Sequence, residues 1–416
     1  MKKIMIFLLF GIVLSFGAGS YAQDIAIKPY GFVLTNANYN SVTKADVPVK
    51  VGLADNSANF LITPRQTRFG FRMTYEQDWK VTAVIEMDFF GLKGSGSNGG
   101  VMQSAPRLRL ANVKLQKQNS DWSFVIGQDW TVFAPLNPTS MMHVSIPKFS
   151  SSGNLWNRFP QVRAEYKYKI DEKNSLILQG AFLRPLGADI TPTVNQTDEL
   201  GAGELSVFPF LEMRVAAEIG PAATVGASVH YGQEDFFKAW NGEKKVDSIS
   251  YPIKDENTSS LAMAGDAKIK SGIATFSAEA FWGKNLTMLF GSAYLKSVAE
   301  SDGTYKIDGV GSMGGWLEVS LKPKNSKFTC GAGLGYEALK ESDVDSLIQD
   351  AIFKSATPMH KNLTFFGLIS YSPFSNFSCG LELNHIRTSY KKLDGASLVG
   401  ADAGNTTVGL AFKFDF

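Results

Sequence analysis

Apolar and polar residues alternate with a period of two through much of this 416-residue chain. In the final segment, residues 406–416, one face carries only apolar side chains beyond Thr406, and the other carries mostly small or charged ones. Successive side chains of a β-strand point to opposite sides of the sheet. The apolar face consists of Val408, Leu410, Phe412, Phe414 and Phe416. The pattern predicts a strand with one face in an apolar medium and the other in water.

The same alternation recurs in segments 68–76, 81–89, 161–170 and 211–219. Their polar faces carry full charges of both signs, whereas their apolar faces largely lack charge. A soluble β-sandwich would also alternate, with its apolar face in a core. An apolar outside and a charged inside are typical of transmembrane barrels, and we favour that interpretation.

Seventeen segments carry the strand pattern, and tight polar turns alternate with long loops between them. They are 27–39, 65–76, 79–91, 105–117, 120–130, 160–170, 174–184, 205–219, 222–233, 261–270, 273–283, 287–297, 311–322, 326–338, 361–372, 375–389 and 404–416. Single-chain bacterial barrels have an even number of strands. Segment 287–297 is the weakest, so we predict an all-β fold, a transmembrane antiparallel β-barrel of about 16 strands, with 18 as the alternative.

The N-terminus carries the features of a secretory signal peptide. Lys2 and Lys3 precede the apolar run 4–14, and small residues lead to Ser20-Tyr21-Ala22, an A-x-A-like cleavage site. We expect residues 1–22 to be removed and residues 23–416 to form a single barrel domain in the cell outer membrane. Beyond residue 22 no apolar run approaches the length of a transmembrane helix.

Charge, cysteine and histidine usage narrow the function further. Removal of the signal peptide takes two lysines from the 41 basic residues, so 39 basic residues face 39 acidic ones, and we expect no nucleic-acid partner. Cys330 and Cys379 lie in strands that one further strand separates, which places them beyond disulfide reach. The four histidines show no ligand spacing. We therefore expect no enzyme activity, metal or cofactor.

Five short motifs in the first half of the chain resemble the DcaP-like trimeric porins. They are Arg65-Gln66-Thr67-Arg68-Phe69-Gly70-Phe71, Glu86-Met87-Asp88-Phe89-Phe90-Gly91, Arg107-Leu108-Arg109, Gly127-Gln128-Asp129-Trp130 and Arg158-Phe159-Pro160-Gln161-Val162-Arg163. Two features depart from that family: Leu110-Ala111-Asn112 stands where a histidine and an aromatic residue are common, and the N-terminal coiled coil of some members is absent.

The resemblance implies a homotrimeric, passive diffusion channel for small hydrophilic solutes, with a preference for anions such as carboxylates. It also implies a Gram-negative source, and the aromatic content is typical of a Bacteroidota-type member. By resemblance to other outer-membrane barrels, the terminal Phe416 is expected to be recognised by the barrel insertion machinery.

Inward-facing charges are the candidate pore-lining residues. By parity they are Arg68, Arg72, Glu86, Asp88, Arg107, Arg109, Arg163, Lys167 and Arg214. Asp129 and Arg158, which flank loop 131–160, complete the set of candidates. Opposing basic and acidic walls would create a transverse field that selects ions by charge. The alternative is that these residues form cross-strand pairs that only satisfy one another. The parity of 105–117 breaks after Leu110, which a bulge or a subunit interface would explain.

The long loops suggest both a constriction and an alternative function. We expect loop 131–160 to fold into the lumen and narrow it, rather than to lie on the surface, and we expect most tryptophans to form interfacial girdles. A plugged barrel that acts as an adhesin or surface scaffold is the alternative, with loop 232–260 and its Trp240 as the docking segment.

Overall fold

The computed structural model describes residues 25–91, 104–187, 200–291, 294–395 and 397–416. The predicted signal peptide, 1–22, lies outside the described residues. The strands are β1 (Ile25–Asn40), β2 (Asn59–Thr63), β3 (Arg68–Glu76), β4 (Trp79–Asp88), β5 (Arg107–Lys117), β6 (Trp122–Trp130), β7 (Arg158–Lys169), β8 (Asn174–Leu183), β9 (Phe210–Ile219), β10 (Ala223–Glu234), β11 (Glu243–Val246), β12 (Ile249–Pro252), β13 (Thr258–Ser271), β14 (Ala274–Lys284), β15 (Leu295–Ala299), β16 (Tyr305–Gly309), β17 (Gly311–Leu321), β18 (Phe328–Leu339), β19 (Met359–Phe374), β20 (Phe377–Asp394) and β21 (Ser397–Asp415). Three short helices accompany them: α1 (Ala202–Leu205), α2 (Phe236–Ala239) and α3 (Glu341–Leu347).

The barrel strands pair antiparallel with their neighbours in the chain, and the first strand closes the barrel against the last. Strand β1 pairs with β21 from Phe32↔Asp415 to Asn40↔Thr407. On its other side β1 pairs with β3 and then with β2, so β2 and β3 are two parts of one wall strand. Pro64, which lacks an N–H, lies at the break between them. The result is a closed barrel of 16 strands, which confirms the predicted fold.

Segment 287–297 is not a barrel strand, and sixteen of the seventeen candidate segments coincide with the wall. Residues Thr287–Leu289 form a 3-10 turn, and β15 begins at Leu295. Strand β15 pairs with β16 in a separate two-stranded sheet, as β11 does with β12. Both hairpins belong to long loops, and the sequence did not predict them. The last strand also begins earlier than residue 404, because β20 and β21 extend together to a tight turn near Gly395.

The outer surface of the barrel is apolar, as the alternation predicts. On β21, Leu410 and Phe412 are 47% and 46% exposed, whereas Ala411 between them is 1% exposed. Both cysteines are free thiols, which confirms the prediction of no disulfide. In the described part of the chain, no helix has the length and apolar character needed to span a membrane.

The tryptophans divide between the outer surface and the interior, so the girdle prediction is wrong for several of them. Three tryptophan side chains are exposed and lie on the outward face of their strands: Trp79, Trp122 and Trp282. Trp156 and Trp316 are buried inside the barrel, and the Trp316 indole N–H donates to Glu279 at 3.0 Å. A buried indole N–H needs an acceptor, and an inward-facing carboxylate supplies one here.

Candidate functional site

The segment between β6 and β7, residues 131–157, lies inside the barrel. Its backbone amides donate to carboxylates on strands far apart around the wall. Val132 N donates to Glu212 on β9 at 3.0 Å, and Leu136 N donates to Glu279 on β14 at 2.6 Å. These bonds attach the segment to the inner face of the wall at β9 and β14. The loop therefore folds into the barrel, as we expected from the sequence.

The inserted loop continues around the wall on two more carboxylates. Thr139 N donates to Glu318 on β17 at 2.6 Å, and Met141 N donates to Glu382 on β20 at 3.1 Å. The four acceptors, Glu212, Glu279, Glu318 and Glu382, are at most 5% exposed. Backbone N–H donors stabilise the ionised form of a carboxylate. Here the same hydrogen bonds also anchor the loop to the wall. The sequence analysis identified none of these four residues.

Apolar packing holds the return half of the inserted loop. Phe149 packs on Trp316 and Phe366, with ring centroids 6.1 and 5.5 Å apart. Gly153 has a φ of +101°, and a Cβ there would lie 2.2 Å from the Gly315 carbonyl oxygen. Glycine at this position therefore allows the loop backbone to touch β17 directly.

The loop after β1 also enters the barrel, which was not predicted. Val51 N donates to the Thr388 hydroxyl at 2.9 Å, and the Asn362 amide donates to the Val49 carbonyl at 2.8 Å. Thr388 and Asn362 belong to β20 and β19 and are fully buried. Together, the two inserted loops therefore cover part of the inner face of the wall from β19 to β1.

Strands β3 to β5 form a wall rich in arginine. Arg107 holds Asp88 through two hydrogen bonds, at 2.7 and 3.1 Å. Arg109 contacts Glu86 and Asp88, each at 2.8 Å, and the Arg68 Nε atom lies 3.6 Å from Glu86. Two of these groups also touch the inserted loop: Arg68 donates to the Val144 carbonyl, and Arg107 donates to the Ser145 carbonyl.

A β-bulge places Arg109 in this cluster. Glu86 on β4 is opposite Leu110, but the next residue, Met87, is opposite Leu108, so Arg109 is the extra residue. The bulge turns both Arg109 and Leu110 inward and explains why the parity of this strand breaks. Of the two explanations offered by the sequence, the structure contains the bulge.

Arg158 reaches the same region from β7. It pairs with Trp130 and has the parity of the outward Val162, opposite to that of Arg163. Its guanidinium carbon lies 4.9 Å from the Trp130 ring centroid and 5.6 Å from that of Trp156. The position is therefore beside the arginine wall, at the end of the loop that Arg158 was expected to flank.

Most of the remaining predicted charges lie on the strands that follow the arginine wall, from β6 to β9, and form ion pairs. Arg163 contacts Asp129 at 3.0 Å and Glu165 at 2.9 Å. Arg214 contacts Asp266 at 2.7 Å, and Lys167 contacts Glu218 at 2.6 Å. A cavity of about 420 Å³ lies among Asp129, Asn137, Arg163, Gln179 and Arg214. Cross-strand pairing, the alternative considered from the sequence, describes these residues well.

Arg72 differs from the paired residues. It is exposed, and its guanidinium lies over the Tyr30 ring at 5.8 Å. Strand pairing places Lys28 directly opposite it. Four residues beyond Arg68 along β3, the wall thus presents two adjacent cationic side chains.

A closed barrel with an apolar outer surface, a charged interior and an inserted loop is the architecture of a transmembrane β-barrel, which confirms the predicted fold class. No family model and no curated protein matches the sequence.

Solved structures do match the fold. The outer membrane channel DcaP of Acinetobacter baumannii matches with a TM-score of 0.68 and 18% identity, over 94% of this chain and 97% of that one. OmpT, an outer membrane protein of Vibrio cholerae, matches with a TM-score of 0.56 and 10% identity, over 95% and 98% of the two chains. OmpF of Salmonella typhi, in complex with daunomycin, matches with 0.53 and 12%, over 93% and 97%. The resemblance to DcaP is thus confirmed at the level of the fold.

Proposed function

We propose that the protein is a passive porin that passes small hydrophilic solutes and prefers anions, carboxylates in particular. The observation that carries this proposal is an imbalance of accessible charge. Arg68 and Arg107 keep 19% and 28% of their side-chain surface exposed, whereas their partners Glu86 and Asp88 keep 7% and 0%. A solute at this wall meets guanidinium groups before it meets carboxylates.

The inserted loop increases the imbalance. The four glutamates on β9, β14, β17 and β20 would otherwise face the lumen as an acidic wall. Each is buried against backbone N–H groups of the loop, which offset its charge and keep solutes away. The arginine wall has no such cover at Arg72. Guanidinium groups bind carboxylates through paired, permanently charged hydrogen bonds, so carboxylates are the favoured class.

Planar-bilayer recordings test the proposal. Purified protein is expected to produce stepwise conductance, and a salt gradient is expected to give a reversal potential of the sign set by anions. Well-folded protein that inserts without conductance would contradict a channel.

A homotrimer and recognition of Phe416 by the insertion machinery are further parts of the proposal. One solved structure of OmpT of Vibrio cholerae, which shares the fold at 12% identity, is a trimer form. In this chain Phe416 pairs with Gly31 through two backbone hydrogen bonds of 3.1 Å, and its ring is 52% exposed on the outer surface. A terminal aromatic side chain held in this way is available to a recognising protein.

The plugged barrel remains a second candidate, because two loops enter the lumen and the outer loops are packed together. Phe236 and Ile253 from one loop and Leu295 and Ile307 from another share one apolar cluster, with Trp240 at its edge. Such an ordered surface suits binding of a partner. Deletion of 232–260 with loss of surface binding and unchanged permeability would favour this function.

A further inference from the structure

We propose that the protein holds one small monovalent anion, a halide ion or a single carboxylate group, between Arg158 and the arginines of β5. The proposal deepens the proposed anion channel by assigning a discrete binding site, and it rests on geometry beside the Trp130 ring. The Arg109 guanidinium carbon lies 5.8 Å from the centroid of this ring and that of Arg158 lies 4.9 Å from it, so both cations contact the same aromatic side chain.

Charge is unbalanced at this point. Four guanidinium groups act here, those of Arg68, Arg107, Arg109 and Arg158, against the carboxylates of Glu86 and Asp88. Both carboxylates already accept from arginine: Asp88 is held by Arg107 and Arg109, and Glu86 by Arg109 and Tyr30. Two positive charges are therefore left over in a region of low exposure, where uncompensated charge is costly.

Two donors in the cluster have no acceptor among the residues that the structure describes. The Arg158 Nη1 atom is buried without a hydrogen-bond partner, and so is the Arg68 Nε atom, whose nearest carboxylate oxygen is 3.6 Å away. Buried polar groups are nearly always paired, and a charged donor left unpaired is the most unfavourable case. One bound anion supplies both the missing acceptor and a missing negative charge.

The location gives the site a further role. Trp130 and Arg158 are the residues at which the inserted loop leaves β6 and returns to β7. The pairing of β5 with β6 ends at Ala111↔Gln128. Arg107 and Arg109 therefore lie beside the base of the loop, where β5 makes no backbone pairing with β6. An anion between them links the loop base to the wall.

Bromide is the probe, because its anomalous X-ray scattering identifies it directly. Crystals of the full-length mature protein in bromide salt are expected to show an anomalous peak within hydrogen-bond distance of Arg158 Nη1. The peak is expected to disappear in Arg158→Gln and to persist in Arg163→Gln, whose arginine is already paired with two carboxylates. No peak in the unchanged protein, or a peak that survives Arg158→Gln, would overturn the site.

Further variants and salts keep the test decisive. Arg158→Lys retains the charge and is expected to keep a weaker peak if Arg158→Gln does not fold. A peak that acetate displaces supports a site that also accepts carboxylates, and a peak that acetate leaves unchanged supports a site for halide. The reversal potential separately tests the channel: a peak together with cation preference would keep the site and reject the anion channel.

Discussion

Lys148 in the inserted loop and Glu382 on β20 form an ion pair of 2.7 Å in which each side chain is 1% exposed. The Glu382 carboxylate also accepts from Ser140 and from the Met141 amide, so it holds the loop at two places along its length. A buried pair of this kind fixes a geometry, because separating its charges inside the barrel is strongly unfavourable.

Replacement of Lys148 by methionine should loosen the loop. It leaves Glu382 buried without a cation, and breaking a buried pair in this way typically costs about 3–5 kcal/mol. We expect a lower transition temperature in heat-modified gel migration and a larger, noisier single-channel conductance. Lys245→Met, on a side chain that is 72% exposed, is the matched control. Restoring neutrality with Glu382→Gln in the same chain should recover part of the stability.

Neutralisation of the accessible arginines should reduce anion preference. Arg68→Gln and Arg107→Gln each remove one unit charge from the wall while leaving the buried Arg109 in place. A unit charge about 7 Å from a solute contributes about 0.6 kcal/mol even at the dielectric constant of water, or roughly a threefold change in permeability ratio. Arg387→Gln, which affects an exposed pair with Asp402, is the control. Unchanged selectivity in both variants would mean that these arginines only pair with their neighbours.

Gly153→Ala should displace the return half of the inserted loop from β17. The left-handed backbone and the 2.2 Å approach to Gly315 leave no room for a Cβ, and overpacking of this kind costs about 1–3 kcal/mol. We expect reduced thermal stability and altered conductance. Gly367→Ala, where a Cβ meets no atom within 4 Å, should behave like the unchanged protein. Equal stability of the two variants would show that the loop does not contact β17.

Acid should loosen the loop helix α3 through Asp343. Burial alone would raise the pKa of this carboxyl, but the Lys296 ammonium at 2.7 Å and the Gly311 amide at 3.0 Å outweigh burial and lower the pKa. A lowered pKa contributes stability that is complete above the unfolded value of about 3.9 and is lost as the pH falls through the folded value. Hydrogen exchange of residues 341–347, corrected for intrinsic rates, should therefore rise only in acid. Asp343→Asn should remove this dependence.

The sequence predicted the wall of the barrel well because alternation is a local signal. Each strand needs one apolar face, whatever its neighbours are. Alternation alone therefore predicted the sixteen wall strands, and it also predicted that Leu410 and Phe412 point outward. Segment 287–297 was misleading because its Leu289, together with the preceding Leu286, packs inside the barrel against the inserted loop. The bulge at Arg109 left a visible trace as a break in parity.

The interior could not be predicted to the same extent, because it depends on contacts between residues far apart in the chain. Glu279 and Glu318 look like any other inward acid, and only the path of the loop decides that they are covered. A signal for that path was present: the loop contains Phe133, Phe149 and Trp156, which are at most 3% exposed, and a surface loop rarely carries so many aromatic side chains.

The reversal potential of the unmodified protein in a planar bilayer is the most direct test of an anion-preferring channel. With potassium chloride at different concentrations on the two sides, the structure predicts a potential whose sign shows chloride to be more permeant than potassium. Acetate in place of chloride should preserve that sign. A potential that shows potassium to be more permeant at neutral pH would contradict the role assigned to the arginine wall.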